Sequence, residues 1–210
     1  MMMPMYKTAV CLSVLLLAAC GNENKQLESF YKQIELANEK EKPIVETSDK
    51  LSRLENEKVQ MFEKINKGTL NEIHATAKKL AQNADNRKAV ITEEKEAIAA
   101  SEAAFKKSLP LAKAIADQQN KNEAQDIIDK MEKKYSTHAQ LMTAYEDILA
   151  KERNIFSYLQ QPQPAGQIVN EKIDQLGETT KKFQQLTTVY NNNSKALEKE
   201  KKDVVDRLNE

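Results

Sequence analysis

The sequence predicts an all-α protein, folded as an elongated up-and-down four-helix bundle of long antiparallel helices. Three observations predict this fold class. Strand-forming residues never cluster, turn residues divide the chain into four long segments, and apolar residues recur every three or four positions within each segment. This spacing places apolar side chains on one face of each helix, so the helices are expected to pack along shared seams.

The composition of the chain favours long helices and excludes one class of partner. Among 210 residues there are 4 glycines, 5 prolines and no tryptophan, and Lys, Glu, Ala, Gln, Asn and Leu dominate. This mixture is typical of helical bundles and coiled coils. The 32 basic residues balance the 32 acidic residues. Because a protein that binds nucleic acid usually carries a basic excess, no nucleic-acid partner is expected.

Two short turns separate the first three helical segments. Gly68 ends the first segment, and Thr69 and Glu72 have the order of a capping box, in which each side chain satisfies a free amide of the other. The stretch from Asn120 to Glu123 is predicted to end the second helix and to begin the third. Its sequence is Asn-Lys-Asn-Glu, and Asn120 or Asn122 is expected to cap the helix that follows.

A third break, Gln161-Pro162-Gln163-Pro164, precedes the last segment, because proline lacks the amide proton that a helix interior needs. Pro164 suits the first position of the next helix. The predicted helices cover residues 23–66, 70–119, 122–160 and 165–208. Connections this short force antiparallel neighbours, and helices of this length would form a rod roughly 60 Å long.

The apolar stripe is most regular in the second segment and least regular in the first. Polar residues interrupt the first stripe at Glu41, Ser48, Glu55 and Lys58. The second stripe runs through Leu70, Ile73, Ala77, Leu80, Ala84, Ile91, Ile98, Phe105, Ala112 and Ile115. The third stripe runs through Ala124, Ile127, Met131, Leu141, Tyr145, Ile148, Ile155 and Leu159.

Two prolines lie inside the predicted helices. Pro43 is expected to split the first helix and Pro110 to kink the second, because proline removes a backbone hydrogen bond and crowds the preceding turn. A kink that follows the curvature of the bundle is the preferred interpretation, and a functional hinge is the alternative. The stretch Asn191-Asn192-Asn193-Ser194 favours helix poorly, and it predicts a local weakness in the fourth helix.

The N-terminus predicts export and lipidation. Lys7 precedes an apolar run that begins at Ala9, and Leu17-Ala18-Ala19-Cys20 closes this run. A positive charge, an apolar run and small residues in this order form a secretory signal peptide. The last four residues look like a lipobox, the site at which bacterial lipoproteins are lipidated and cleaved. Cys20 would then become the first mature residue, and its thiol would carry a diacylglyceryl group.

Two other interpretations of this segment are weaker. The apolar run is shorter than the roughly 20 residues that a membrane-spanning helix needs. Ordinary secretion would leave Cys20 as a free thiol, and Cys11 is removed with the signal, so no internal disulfide is expected. The predicted organisation is a signal peptide at residues 1–19, a lipidated tether at 20–24 and a helical-bundle domain at 25–210.

The mature sequence offers no motif for catalysis. His74 and His138 have no acid or histidine at the spacing of a helical metal site, and His138 falls on the apolar stripe, where a packing role is preferred. Nucleophile motifs and glycine-rich phosphate loops are missing as well. We therefore expect a protein that is not an enzyme, with no catalytic residue, no cofactor and no metal.

Five tyrosines in the mature chain suggest two different roles. Aromatic rings stack on sugar faces, so two or three tyrosines exposed together would form a carbohydrate platform. Most of them lie on or beside the apolar stripes, and packing in the core or at its rim is the preferred interpretation. The five are Tyr31, Tyr135, Tyr145, Tyr158 and Tyr190.

The lipobox Leu17-Ala18-Ala19-Cys20, followed by a Lys- and Glu-rich helical domain without catalytic motifs, resembles the YkyA-like cell-wall-binding lipoproteins of Gram-positive bacteria. Ser29-Phe30-Tyr31 and the region of Pro43 contribute to the resemblance, which covers nearly the whole mature chain. It implies a helical bundle held outside the cytoplasmic membrane and associated with the wall. Only Cys20 carries over as a functional residue, through the lipobox.

Two classes of function follow from the sequence. The first is a lipoprotein on the extracytoplasmic face of the membrane, anchored by lipid on Cys20, that acts as a non-catalytic interaction, spacer or scaffold module. Its partner would be peptidoglycan, teichoic acid or another envelope protein. The alternative is a lipoprotein that binds a small molecule or ion for uptake. A polar pocket inside the bundle would favour this alternative.

Overall fold

A computed structural model of the protein describes residues 24–65 and 68–209, and these residues form α-helices and no strand. The helices are α1 (Asn24–Glu39), α2 (Pro43–Ile65), α3 (Leu70–Phe105), α4 (Leu109–Lys113), α5 (Gln118–Leu159) and α6 (Gly166–Leu208). The prediction of an all-α fold with four long helical segments is confirmed. Helices α1 and α2 together form the first segment, and α3 and α4 form the second.

The helices build two compact units. Of the described residues, the first unit contains 24–45, Glu96–His138 and 189–209. The second unit contains Glu46–Lys95 and Ala139–Thr188. Helices α3, α5 and α6 therefore each contribute one segment to each unit.

The core of the first unit is centred on one face of α1. Leu27, Phe30, Ile34 and Ala37 follow the three-four spacing and are fully buried. They belong to one apolar cluster with side chains of α5 and α6, and the ring of Phe105 at the end of α3 packs on a tyrosine of α5. The α5 and α6 members of this cluster include Ala124, Ile127, Met131, Leu197 and Val204.

The core of the second unit lies between α3 and α5. Its buried members are Ala77 and Leu80 on α3 and Ile155, Phe156 and Leu159 on α5. Helices α2 and α6 cover this core with partly buried side chains, and the rings of Phe62 and Phe156 lie 5.5 Å apart. The two covering helices are therefore less deeply buried here than the central pair.

The break at Pro43 is confirmed. Helix α1 ends at Glu39 and α2 begins at Pro43 itself. Proline is tolerated at the first position of a helix, because the amide that it lacks would have no partner there. The turn between the helices is closed by backbone hydrogen bonds, including one from Ile44 N to Glu41 O at 2.9 Å.

The expected kink at Pro110 is wrong, because the chain ends one helix and starts another. Helix α3 stops at Phe105, and Pro110 lies in the first turn of the short helix α4, whose N-cap is Ser108. At this position the missing amide costs nothing. The predicted second helix, which extended to residue 119, is therefore two helices.

The predicted start of the third helix is also wrong. Helix α5 begins at Gln118, and the side chain of Asp117 caps it by accepting a hydrogen bond from Asn120 N at 2.8 Å. Asn120 and Asn122 consequently lie inside the helix. The last helix begins at Gly166, so Pro164 precedes it and is not its first residue.

The capping box that was predicted before α3 forms only in part. The carboxylate of Glu72 accepts hydrogen bonds from the backbone amide of Thr69 at 2.7 Å and from its hydroxyl at 2.8 Å. The Thr69 hydroxyl therefore donates to the glutamate instead of accepting from a helix amide. Helix α3 begins at Leu70, as predicted.

The asparagine stretch near the end of the chain is helical throughout. Helix α6 runs through residues 191–194 without a break, and Ser194 is buried. Asn193 donates a hydrogen bond to the hydroxyl of Thr137 on α5 at 3.4 Å. Contacts with the neighbouring helix thus offset the low helix propensity of these residues.

Candidate functional site

The predicted lipobox, Leu17-Ala18-Ala19-Cys20, lies outside the residues that the structure describes. The first described residue is Asn24, which is also the first residue of α1. Only three residues, Gly21 to Glu23, separate it from Cys20. The surroundings of Asn24 are therefore the part of the described structure that lies nearest to the predicted lipid along the chain.

Asn24 is held to the rest of the first unit by a chain of side-chain hydrogen bonds. The amide nitrogen of Asn120 donates to Asn24 Oδ1 at 3.2 Å, and Arg207 Nε donates to Asn120 Oδ1 at 2.9 Å. Two residues along, Gln26 Oε1 accepts a hydrogen bond from Ala116 N at 2.9 Å. We call these five residues the tether junction.

The tether junction explains why Asn120 is buried although it is polar. Its side chain is 1% exposed, and its oxygen and nitrogen each have a partner on a different helix. A buried amide without partners would cost about 1 to 3 kcal/mol. The junction therefore ties the beginnings of α1 and α5 to the end of α6.

A buried arginine lies in the second unit, on α3. Arg87 is 0% exposed, and its guanidinium donates to Glu55 Oε1 of α2 at 2.7 Å and to the carboxylate of Glu152 on α5. Its Nε donates to Asn83 Oδ1 at 2.9 Å. A planar guanidinium suits this role, because its five N–H groups diverge toward partners on several helices.

Two further side chains complete this arrangement, which we call the Arg87 cluster. Lys58 pairs with Glu152 at 2.9 Å and with Glu55 at 2.6 Å. The hydroxyl of Tyr145 donates to Glu55 and accepts from Arg87 at 3.3 Å. Two cations and two carboxylates thus balance each other inside the unit.

Burial and the charges of the Arg87 cluster shift the pKa values of Glu55 and Tyr145. Burial raises the pKa of Glu55, but the charges of Lys58 and Arg87 outweigh this effect and hold the pKa below its ordinary value. Burial and the neighbouring Glu55 raise the pKa of Tyr145 well above its ordinary value. Glu55 is therefore ionised and Tyr145 neutral near pH 7.

Because the pKa of Glu55 is lowered in the folded protein, we expect the stability of the protein to fall at acidic pH. The carboxylate stabilises the fold above pH 4.5, the ordinary value, and this contribution is lost as the pH falls through the lower pKa of the folded state. Urea denaturation at pH 7 and at successively lower pH values should show a declining midpoint below that point. Glu55→Gln should flatten the decline.

A matched change supplies the control for this pH series. Glu63 lies on the same helix and is exposed, so Glu63→Gln should leave the acid dependence as it is in the unmodified protein. Equal slopes for Glu55→Gln and the unmodified protein would contradict the assignment.

A second polar cluster lies in the first unit, at the turn between α1 and α2. The carboxylate of Glu41 accepts from Lys134 Nζ and from Ser101 Oγ, the latter at 2.8 Å. Ser101 Oγ and Tyr135 Oη lie 2.9 Å apart. These bonds attach the turn to α3 and α5. Both polar clusters satisfy their groups internally, which indicates a structural role and not a ligand pocket.

Both histidines contact other side chains or backbone atoms of the described chain. His138 is 2% exposed and its ring lies 5.7 Å from the ring of Tyr190, so the predicted packing role is confirmed. His74 Nε2 lies 2.9 Å from the carbonyl oxygen of Gln161, in the loop after α5. Within residues 24–65 and 68–209, no three His, Cys, Asp or Glu side chains form a group that could hold a metal ion.

The five tyrosines, all of which lie in the described ranges, are buried or only partly exposed and do not form a carbohydrate platform. Tyr135 and Tyr145 are buried, and the other three in the described chain are only partly exposed. The phenol of Tyr158 is engaged as well, since it accepts a hydrogen bond from Ala165 N at 3.1 Å. The preferred interpretation, packing in the core or at its rim, is confirmed.

None of the described helices combines the length and the apolar character that would allow it to cross a membrane.

Comparison with known proteins places the chain in a family. The model of a family described as "YkyA: Putative cell-wall binding lipoprotein" matches residues 25–207. The chain belongs to the YkyA family. The match begins one residue after the start of α1 and ends one residue before the end of α6, so it covers the helical part of the protein.

Two relatives extend this finding. An uncharacterized lipoprotein of Bacillus subtilis (strain 168), itself named YkyA, is 23% identical over 201 residues, which cover 94% of this chain and 90% of the relative. A crystal structure of a conserved Staphylococcus aureus protein of unknown function has a TM-score of 0.80 and 28% identity, and the match covers 87% of this chain and 93% of that chain. Neither name indicates an enzyme. These YkyA-family matches support a lipoprotein of unknown function.

Proposed function

We propose that this YkyA-family chain is a lipoprotein held on the extracytoplasmic face of the membrane by lipid on Cys20, and that its helical domain is a non-catalytic module that binds the cell wall. The observation that carries the proposal is the order of the sequence: a lipobox that ends at Cys20, three linking residues and then a domain that matches a family of lipoproteins. The family description supports the wall as the partner.

The lipid supplies the membrane attachment in this proposal. Two acyl chains on Cys20 give a stable anchor, because each buried methylene contributes about 0.8 kcal/mol and a single chain binds only marginally. The apolar run before Cys20 is too short to span the bilayer, which needs roughly 20 residues. Attachment through Cys20 accounts for both the lipobox and the polar residues that follow it.

The buried polar groups of each unit are paired with each other, and this favours a partner that binds at the surface of the domain. Arg87 and Lys58 are neutralised by Glu55 and Glu152 within the second unit. Glu41 is engaged by Lys134 and Ser101 within the first unit. Because these buried polar groups bind each other, they favour contact with a partner at the surface over capture of a small molecule inside the helices.

A wall-binding assay tests this function. The purified lipoprotein, kept in mild detergent, is mixed with insoluble cell walls and sedimented. We expect a larger bound fraction on intact walls than on an insoluble polysaccharide such as cellulose, since the proposal requires recognition of wall chemistry.

Walls stripped of teichoic acid separate two sources of binding in the same assay. Retained binding assigns the contact to peptidoglycan, and lost binding assigns it to teichoic acid. Equal sedimentation with walls and cellulose would contradict wall binding. This result would leave the proposed lipid anchor untouched, because the anchor is tested separately by substitution of Cys20.

A further inference from the structure

We propose that the first part of α6, residues 166–188, opens away from the second unit while the rest of the helix stays in place. We call these residues the strap. The strap is the part of α6 that belongs to the second unit. Its movement is built into the fold and does not depend on wall binding by the domain.

The strap buries less than the rest of α6. Within residues 166–188, all of which the structure describes, no side chain is fully buried. Ile168 and Ile173 are 40% and 46% exposed although they are apolar. The free energy that packing supplies scales with the apolar area removed from water, so packing stabilises the strap only weakly. The buried side chains of α6 all follow the strap, and they are Ser194, Leu197, Val204 and Leu208.

The apolar contacts of the strap are partial. Val169 and Leu176 are partly buried at the edge of the second unit's core. The ring of Phe183 lies 5.3 Å from the ring of Tyr145 on α5. These side chains cover the core from outside, so they can leave without taking any fully buried side chain of α6 with them.

The polar contacts of the strap lie at the surface. Lys172 Nζ donates to Asn154 Oδ1 on α5 and lies 5.7 Å from the centre of the Tyr158 ring. Among the described residues, this is the only hydrogen bond that joins the strap to another helix. Water replaces an exposed hydrogen bond at small cost. Helix α2 of the same unit is held differently, because Glu55 pairs with the buried Arg87.

The part of α6 after the strap is anchored more firmly. Arg207 Nε donates to the buried Asn120 Oδ1 at 2.9 Å. Glu200 pairs with Lys130 on α5 at 2.8 Å. These polar contacts and the four buried side chains hold this part of the helix in the first unit.

The residues of the strap also weaken its helix. Gly177 lies in the middle of the strap, where glycine favours a helix less than alanine does. A Cβ at Gly177 would meet no atom within 4 Å, so no neighbouring group in the described chain requires glycine there. Hydroxyl bonds to the carbonyl four residues earlier slightly destabilise a helix. Four threonines of the strap make such bonds: Thr179, Thr180, Thr187 and Thr188.

A run of poor helix formers lies where the strap ends. Residues 187–194 are Thr-Thr-Val-Tyr-Asn-Asn-Asn-Ser, and each of them favours a helix less than alanine, leucine or lysine does. The last two are fixed in the first unit, since Asn193 donates to Thr137 and Ser194 is buried. The helix therefore bends most easily just before Asn193.

Opening of the strap uncovers apolar side chains of α5. Val169 and Leu176 pack against the cluster that contains Ile155 and Leu159. When the strap is closed, Ile155 and Leu159 are buried. The strap therefore controls access to an apolar surface of the second unit.

Hydrogen exchange followed by mass spectrometry tests this movement on the full-length lipoprotein in mild detergent. We expect the amides of residues 170–188 to exchange together, and faster than those of residues 197–208 after correction for intrinsic rates. Local opening requires less free energy than unfolding of the whole protein. Urea at concentrations below the unfolding transition should leave this difference in place.

Two substitutions in α6 separate opening of the strap from opening of the whole helix. Gly177→Ala should slow exchange of the strap about fivefold, the factor that corresponds to the difference in helix propensity. Ala196→Gly is the matched control, because it makes the reverse change at an exposed residue after the strap. It should leave exchange of the strap unchanged.

The outcomes decide whether the strap opens by itself. Fast exchange that is confined to residues 170–188, slowed by Gly177→Ala and unaffected by Ala196→Gly, supports the proposal. Equal protection of residues 170–188 and 197–208 overturns it. A strap whose exchange becomes about fivefold faster in Ala196→Gly also overturns it, because the helix would then open as a whole.

Discussion

Cys20→Ala is expected to remove the protein from the membrane. The variant should appear in the culture medium or accumulate as an uncleaved precursor, because the thiol that would receive the diacylglyceryl group is gone. The two acyl chains supply the attachment energy at about 0.8 kcal/mol for each methylene, and no described helix can replace them as a membrane span. Cells are grown with labelled fatty acid and then fractionated. The fractions show where the protein is located, and the label shows whether the protein carries lipid.

Cys11→Ala is the matched control for this experiment. It makes the same chemical change nine residues earlier, inside the apolar run and outside Leu17-Ala18-Ala19-Cys20. This variant should keep its label and remain with the membrane. Incorporation of fatty acid into Cys20→Ala would show that the lipid is attached elsewhere, and it would overturn the proposed anchor.

The general architecture could be predicted from the sequence because it depends on local signals. The three-four spacing of Leu27, Phe30, Ile34 and Ala37 predicts a buried face on α1, and all four side chains are fully buried. Pro43 begins a helix because the amide proton that proline lacks would have no partner at the first helical position. Such features need no knowledge of which helices become neighbours.

Several helix boundaries could not be predicted because they depend on competing local caps. Asn120 is a better N-cap than most residues, yet its side chain is used by Asn24 and Arg207, and Asp117 caps the helix instead. Likewise Pro110 sits in the first turn of α4, since the chain leaves the helix at Phe105. Tertiary contacts decide between caps that are locally similar.

The Arg87 cluster was missed, although the sequence contains a signal for it. The regular apolar stripe of α3 passes from Ala84 to Ile91 and skips the position between them, which Arg87 occupies. The stripe of α5 similarly skips Glu152, and Glu55 interrupts the stripe of the first segment. A polar residue at a position of an apolar lattice predicts burial, but only the structure shows that the three residues meet.

Arg87→Met is expected to destabilise the protein by about 3 to 5 kcal/mol, near the lower limit because Lys58 still neutralises part of the acidic charge. Methionine fills a similar volume, so the loss comes mainly from the carboxylates of Glu55 and Glu152 that remain in the interior. Urea denaturation followed by circular dichroism at pH 7 measures the change in the free energy of unfolding.

Arg153→Met is the matched control, since Arg153 pairs with Asp85 at the surface of the same unit. Its side chain is 53% exposed, and an exposed pair of this kind is worth at most about 1 kcal/mol. Adding Glu55→Gln and Glu152→Gln to Arg87→Met should recover part of the lost stability, because the unpaired charges are then removed together. Equal losses for Arg87→Met and Arg153→Met would show that the buried charges do not hold these helices together.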